Sequence, residues 1–109
     1  MQPAGNLFDV PRASDMVRLA AGERPRFWVT IDTEEDFDWS QPFSRTGYSL
    51  GSVPALADCQ AYFERAGVQP IYLVDWPIVA DDRALDILGR ASHEGRCEIG
   101  AQLHPWVNP

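Results

Sequence analysis

Two hydrophobic rhythms alternate along this chain. Residues 26–31 (RFWVTI), 70–76 (PIYLVDW) and 96–102 (RCEIGAQ) are short runs without helical periodicity. They read as strands, apolar enough on both faces for the interior of a parallel sheet. Between the first two, Val53, Leu56, Cys59, Phe63 and Ala66 recur at helical spacing, with Ser52 as the expected cap and Gly67 as the stop. A second helix is predicted from Asp81 or Asp82, with Leu85, Leu88 and Ala91 on one face and Gly95 just past its end. A short helix capped by Ser14 is expected over residues 13–21, closed by Gly22 and Pro25. Residues 39–50 carry Pro42, Gly47 and serines with no period, and read as a loop.

Strand, helix, strand, helix, strand with short connections implies parallel pairing and an α/β architecture. Residues 26–31, 70–74 and 97–102 are therefore expected to be adjacent parallel strands. In such folds chemistry gathers at the carboxyl ends of the strands. All three predicted strands end in polar or ligand-type residues: Asp32 to Asp36, Asp75-Trp76, and Gln102 to His104. Three strands cannot close a barrel, which takes ~250 residues. The expectation is a lead-in over residues 1–24 and, over 25–109, the opening βαβαβ portion of a larger domain. Its open sheet edge would be covered by the rest of a barrel or by self-association.

Composition narrows the partners. The 109 residues are 45% hydrophobic and 23% charged, an ordinary globular balance. A formal net charge of -7 argues against nucleic acid or an anionic membrane, both of which need a basic patch. No stretch approaches the ~20 apolar residues of a membrane span, and the N-terminus lacks the apolar core of a signal peptide. A cytoplasmic location is the expectation. Cys59 and Cys97 have no metal-binding spacing and fall on apolar faces, so they read as reduced core thiols. His93, at a helix end, reads as an exposed residue near the last carbonyls.

The first strand runs directly into Asp32, Glu34, Glu35, Asp36 and Asp38. Carboxylates resist burial and repel one another, so such a cluster stays in water or holds a cation. A calcium loop counted from Asp32 fails, because Phe37 stands where the sharp turn needs Gly and Phe43 where a bidentate Glu is required. His104 lies two residues beyond Gln102, a spacing that puts both side chains on one face of an extended strand.

Thr30-Ile31-Asp32 at the end of the first strand, with Glu98-Ile99-Gly100 and then His104-Pro105 at the end of the third, resembles the T-F-D and E-I-G…H-P segments of the polysaccharide deacetylases, the NodB-homology carbohydrate esterases. The resemblance covers about residues 25–109. It implies a deformed (β/α) barrel and metal-dependent removal of N-acetyl or O-acetyl groups from amino sugars or polysaccharides. Asp32 matches the family's catalytic base. A divalent metal ion, zinc, would be held by Glu34 and His104, and Gln102, Trp106 and Asp75 would face the carbohydrate substrate. Two departures stand out: Thr33 occupies the place of the family's second Asp, and Gln102 that of the first His of an H-x-x-x-H pair. The family's later motifs, a leaving-group His and a positioning Arg, would lie beyond Pro109. Two other readings remain open here: a non-catalytic carbohydrate-binding or interaction module on the same scaffold, and a glycosidase pairing Asp32 with Glu34 or Asp75.

Overall fold

Parallel strands leave no room for a tight turn, so each must be followed by a crossover that packs back on the sheet. A computed structural model describes residues 10–108 and shows this arrangement. Strand β1 (Thr30–Thr33) leads through a two-stranded antiparallel ribbon, β2 (Asp36–Phe37) with β3 (Tyr48–Ser49), to helix α1 (Ala55–Ala66). Then come β4 (Ile71–Val74), the single-turn helix α2 (Trp76–Val79), helix α3 (Asp82–His93) and β5 (Glu98–Ala101). The sheet order is β1-β4-β5 and both pairings are parallel. The fold is mixed α/β, as expected.

Register fixes which side chains share a face. Ile31, Tyr72 and Ile99 align across the three strands, as do Thr33, Val74 and Ala101. Tyr72 and Val74 are buried with Val53, Ile78, Ala84, Leu88, Ala91 and Cys97, so this is the face covered by the helices. Asp32, Leu73 and Gly100 align on the opposite face. Tyr72 reaches the helix layer with its hydroxyl, which donates to Gln60 Oε1 at 3.0 Å; the Gln60 amide donates to the Arg96 carbonyl at 3.2 Å and to Glu64 at 2.9 Å. One buried glutamine therefore joins α1, β4 and the approach to β5. Arg96 also pairs with Glu64 and Glu94 on the surface.

Helix ends follow the local chemistry. Gly67 adopts φ 67° and closes α1, because that left-handed conformation is strained for residues with a Cβ. Asp81 caps α3 by accepting from the backbone N–H groups of Arg83 (2.9 Å) and Ala84 (3.1 Å).

Several boundaries differ from those expected. The first strand begins at Thr30 and is an edge strand, not a central one, among the described residues; Phe27 and Trp28 are 80% and 76% exposed, with no helix among the described residues covering them. In place of a helix over 13–21 there is a single 3-10 turn, Ala13–Asp15, held by Arg12 N–H donating to Asp15 Oδ2 at 2.8 Å; Ser14 caps nothing. Residues 1–9 of the expected lead-in lie outside the described residues. The loop over 39–50 contains β3, which pairs with the last part of the acidic run. Ser52 lies within the turn that leads into α1, and Pro54 occupies the cap of that helix. The second strand stops at Val74, since Asp75 caps α2 and Trp76 opens that helix. In α3 the buried face is Ala84, Leu88 and Ala91, with Leu85 51% exposed. Cys97 is buried, Cys59 is half-buried, and both are free thiols. No helix among the described residues is long and apolar enough to cross a membrane.

Candidate metal centre

The ladder hydrogen bonds continue one step past the strands and bring three chain segments together. Asp75 N–H donates to the Thr33 carbonyl at 3.3 Å, and Gln102 N–H to the Val74 carbonyl at 3.0 Å. Beyond these points the chain turns, and Glu35, Asp75 and His104 meet at the carboxyl end of the sheet. One ligand atom from each lies within 4.8 Å of the others. The side chains of Glu35 and Asp75 are fully buried, and that of His104 nearly so.

His104 is the hub. Its Nδ1 lies 2.9 Å from Glu35 Oε2 and 3.6 Å from Asp75 Oδ2, and its Nε2 lies 3.1 Å from Glu34 Oε2. Gln102 donates to the same Glu34 oxygen at 3.1 Å, so Gln102 and His104 do reach one partner, as their spacing predicts. Trp106 stacks on the His104 ring at 4.6 Å between centroids and donates its indole N–H to Glu35 Oε1 at 3.0 Å. Asp75 spends its two oxygens on backbone: Oδ2 accepts from Glu35 N–H at 3.3 Å and Oδ1 from Ile78 N–H at 3.2 Å.

Two adjacent buried carboxylates cannot both ionise freely. Burial, reinforced by the neighbouring Glu35 carboxyl, pushes Asp75 up to about 6. Burial also acts to raise Glu35, but the hydrogen bonds from Asp75 and His104 outweigh it and hold Glu35 below the usual carboxylate range. Glu35 is the anion of the pair and Asp75 the later one to ionise. Two carboxylate oxygens and an imidazole nitrogen, withdrawn from water, form a donor set of the kind that holds a metal ion. A cation would also relieve the repulsion that raises Asp75.

The structure redistributes the expected roles. His104, read from the sequence as a metal ligand, is one of the three residues of the triad. Glu34, expected as a ligand, instead bridges His104 and Gln102 at the lip of the site. Asp75, expected to face substrate, is a buried member of the triad. Trp106 orients Glu35 and His104 as well as presenting a ring. Asp32, on the opposite sheet face from Tyr72, is exposed and forms no side-chain hydrogen bond or ion pair among the described residues. Glu35 was the residue the sequence did not single out: nothing in a run of five acids marks which one turns inward.

No family model, curated protein or solved structure gives a significant match to this chain. The site must be read from its own geometry.

An aromatic group borders it. Phe37, Trp39 and Phe43 gather around Trp106, with Phe43 and Trp106 stacked at 4.5 Å and Trp39 edge-on to Phe37 at 5.4 Å. Trp39 and Phe43 remain 68% and 63% exposed. Rings held by one another yet open to solvent offer flat apolar faces beside the polar triad.

Proposed function

We propose that this chain carries the metal-binding rim of a hydrolase that removes N-acetyl or O-acetyl groups from amino sugars or polysaccharides, on a scaffold of polysaccharide deacetylase type. In this reading the β1-β4-β5 sheet is the first portion of a deformed (β/α) barrel. One observation carries the proposal: the buried Glu35–Asp75–His104 triad sits at the carboxyl ends of three parallel strands, on the segments that hold Thr30-Ile31-Asp32 and Glu98-Ile99-Gly100…His104-Pro105.

Glu35, Asp75 and His104 would hold the ion. Such an ion would supply Lewis acidity toward an acyl carbonyl. The remaining work falls to the chain's own groups. Trp106 and Glu34 fix the His104 ring from its face and from Nε2, while Gln102 steadies Glu34. Asp32 is the carboxylate free to accept a proton at the rim. Trp39 and Phe43 present ring faces against which a pyranose can lie.

The test combines bound-zinc quantification with acetate release from an N-acetylglucosamine oligomer. The wild-type chain is expected to retain zinc and release acetate. Asp32→Asn should keep the ion and lose ~10²–10⁴-fold in rate, the usual loss for a general base; Glu35→Gln and His104→Ala should lose both ion and turnover. Wild-type turnover in Asp32→Asn rejects that residue's role, and a wild-type chain that retains no ion rejects the metal.

A second reading, a carbohydrate-binding module without turnover, is favoured by one observation: the Asp32 side chain makes no hydrogen bond or ion pair to the triad among the described residues. It requires sugar binding in a protein that releases no acetate.

A further inference from the structure

Among the described residues, side chains of the loop over 38–47, between β2 and β3, hydrogen-bond only within that loop. Asp38 accepts from Ser40, and the Ser44 hydroxyl oxygen accepts the N–H groups of Thr46 at 3.3 Å and Gly47 at 3.1 Å. No ion pair among the described residues includes Asp38 or Arg45. The loop meets the rim of the triad through rings instead. Phe43 stacks on Trp106 at 4.5 Å with 27° between the planes, and Trp39 stands edge-on to Trp106 at 6.1 Å. Trp106 in turn stacks on His104 at 4.6 Å and 23°, while its indole N–H donates to Glu35. The backbone of its turn is anchored by the next residue, Val107, which is buried.

Stacked contacts therefore run from Phe43 through Trp106 to His104. Trp106 touches two of the three triad residues, so whatever restrains its ring helps to hold both in place. We propose that Phe43 is a positioning residue for the triad, acting through Trp106, and that the loop over 38–47 is a strap whose closure tightens ion binding. This rests on the ion-binding reading of the triad. With the strap down, Glu35 and His104 are held in place before an ion arrives, and binding has less freedom to remove. With the strap lifted, the stack of Phe43 on Trp106 is lost and the indole is free to swing away from both ligands. An aromatic pair shifts an equilibrium by about three- to tenfold, which sets the size of the effect. Linkage makes it reciprocal: the ion favours the closed strap by the factor with which the closed strap favours the ion.

Arg45 supplies the gauge, because it is exposed on the strap and trypsin cuts after arginine. The Ser44 hydrogen bonds hold the Arg45–Thr46 bond in a compact turn, so cleavage there reports how often the strap opens. Zinc affinity by calorimetry and cleavage after Arg45 by mass spectrometry are measured on the wild-type chain, Phe43→Ala and Phe43→Tyr. Cleavage is scaled to that after the exposed Arg18, which cancels any effect of zinc on the protease. Phe43 lies outside the core cluster and is 63% exposed, so neither change threatens folding. Saturating zinc is expected to slow wild-type cleavage about three- to tenfold. Phe43→Ala should bind zinc more weakly by the same factor and be cut faster, at a rate that zinc no longer changes. Phe43→Tyr should restore both properties. Wild-type zinc affinity in Phe43→Ala overturns the proposal, as does failure of the tyrosine to rescue. A wild-type chain that binds zinc but is cut after Arg45 at a zinc-independent rate keeps the metal centre and loses the strap. A wild-type chain that binds no zinc loses the metal centre and, with it, the coupling.

Discussion

Glu35 Oε2 and His104 Nδ1 stand 2.9 Å apart although 69 residues separate them. The contact spans the ends of β1 and β5, which are not neighbours in the sheet, and closes the rim over β4 between them. Removing the imidazole by His104→Ala leaves Glu35 buried with only Trp106 and Asp75 beside it. The expected result is loss of divalent-ion retention and a stability decrease of about 1–3 kcal/mol, the range for a buried polar group deprived of a partner. Urea unfolding and metal content after dialysis measure both. Glu34→Gln should keep the ion, because Glu34 lies outside the triad; loss of metal there with retention in Glu35→Gln would reverse the assignment.

Asp75 gives the site a pH dependence with a definite sign. In the metal-free protein Asp75 holds its proton up to about 6, whereas an unfolded chain releases it near the ordinary carboxylate value. Between those values the folded state binds more protons, so stability falls as pH rises through the window. A divalent ion competes with that proton. The rise in melting temperature on adding zinc should therefore widen as pH increases from below to above 6, as thermal scans with and without zinc will show. A zinc effect that shrinks over this interval would contradict ligation by Asp75.

Gln60 offers a test of the scaffold away from the site. Gln60→Leu preserves bulk but leaves the buried Tyr72 hydroxyl and the Arg96 carbonyl without their partner. A loss of about 1–3 kcal/mol in urea unfolding is expected, with metal binding retained by the folded protein.

Gly100 lies under Leu73, and a Cβ added there would meet Leu73 Cδ2 at 2.6 Å. The half-buried Leu73 side chain must turn aside to admit Gly100→Ala; the clash is with the far end of a flexible chain, so the expected cost is that of an off-rotamer side chain, about 0.5–1.5 kcal/mol. Gly100→Ala combined with Leu73→Ala should recover less strain than it loses in packing but show a favourable coupling in a double-mutant cycle. Strictly additive losses would mean that the two side chains do not compete for space.

The sheet was legible because parallel strands alternating with helices leave two distinct periodicities, and β4 and α3 carried them cleanly. The N-terminal helix expected over 13–21 failed where the pattern had no tertiary partner: its apolar residues Met16, Val17 and Leu19 are exposed, and an apolar stripe with nothing among the described residues to cover it has little to stabilise it. Trp76 looked like the end of a strand because an aromatic after Val74 fits one; the Asp75 cap and Pro77 in the first turn redirected the chain into α2. At the site, His104, Gln102 and Trp106 were legible as polar or aromatic residues just past a strand end. Glu35 was not, since its selection from the acidic run depends on Trp106 and His104 arriving from the far end of the chain.

Asp75 completes the triad, yet the same side chain also starts α2 by accepting the Ile78 N–H. Any ion that draws electron density from this carboxylate weakens it as an acceptor for that amide. The exchange rate of one backbone proton, on a residue that is itself buried in the hydrophobic core, becomes an internal gauge of site occupancy. It can be read without substrate, turnover or label.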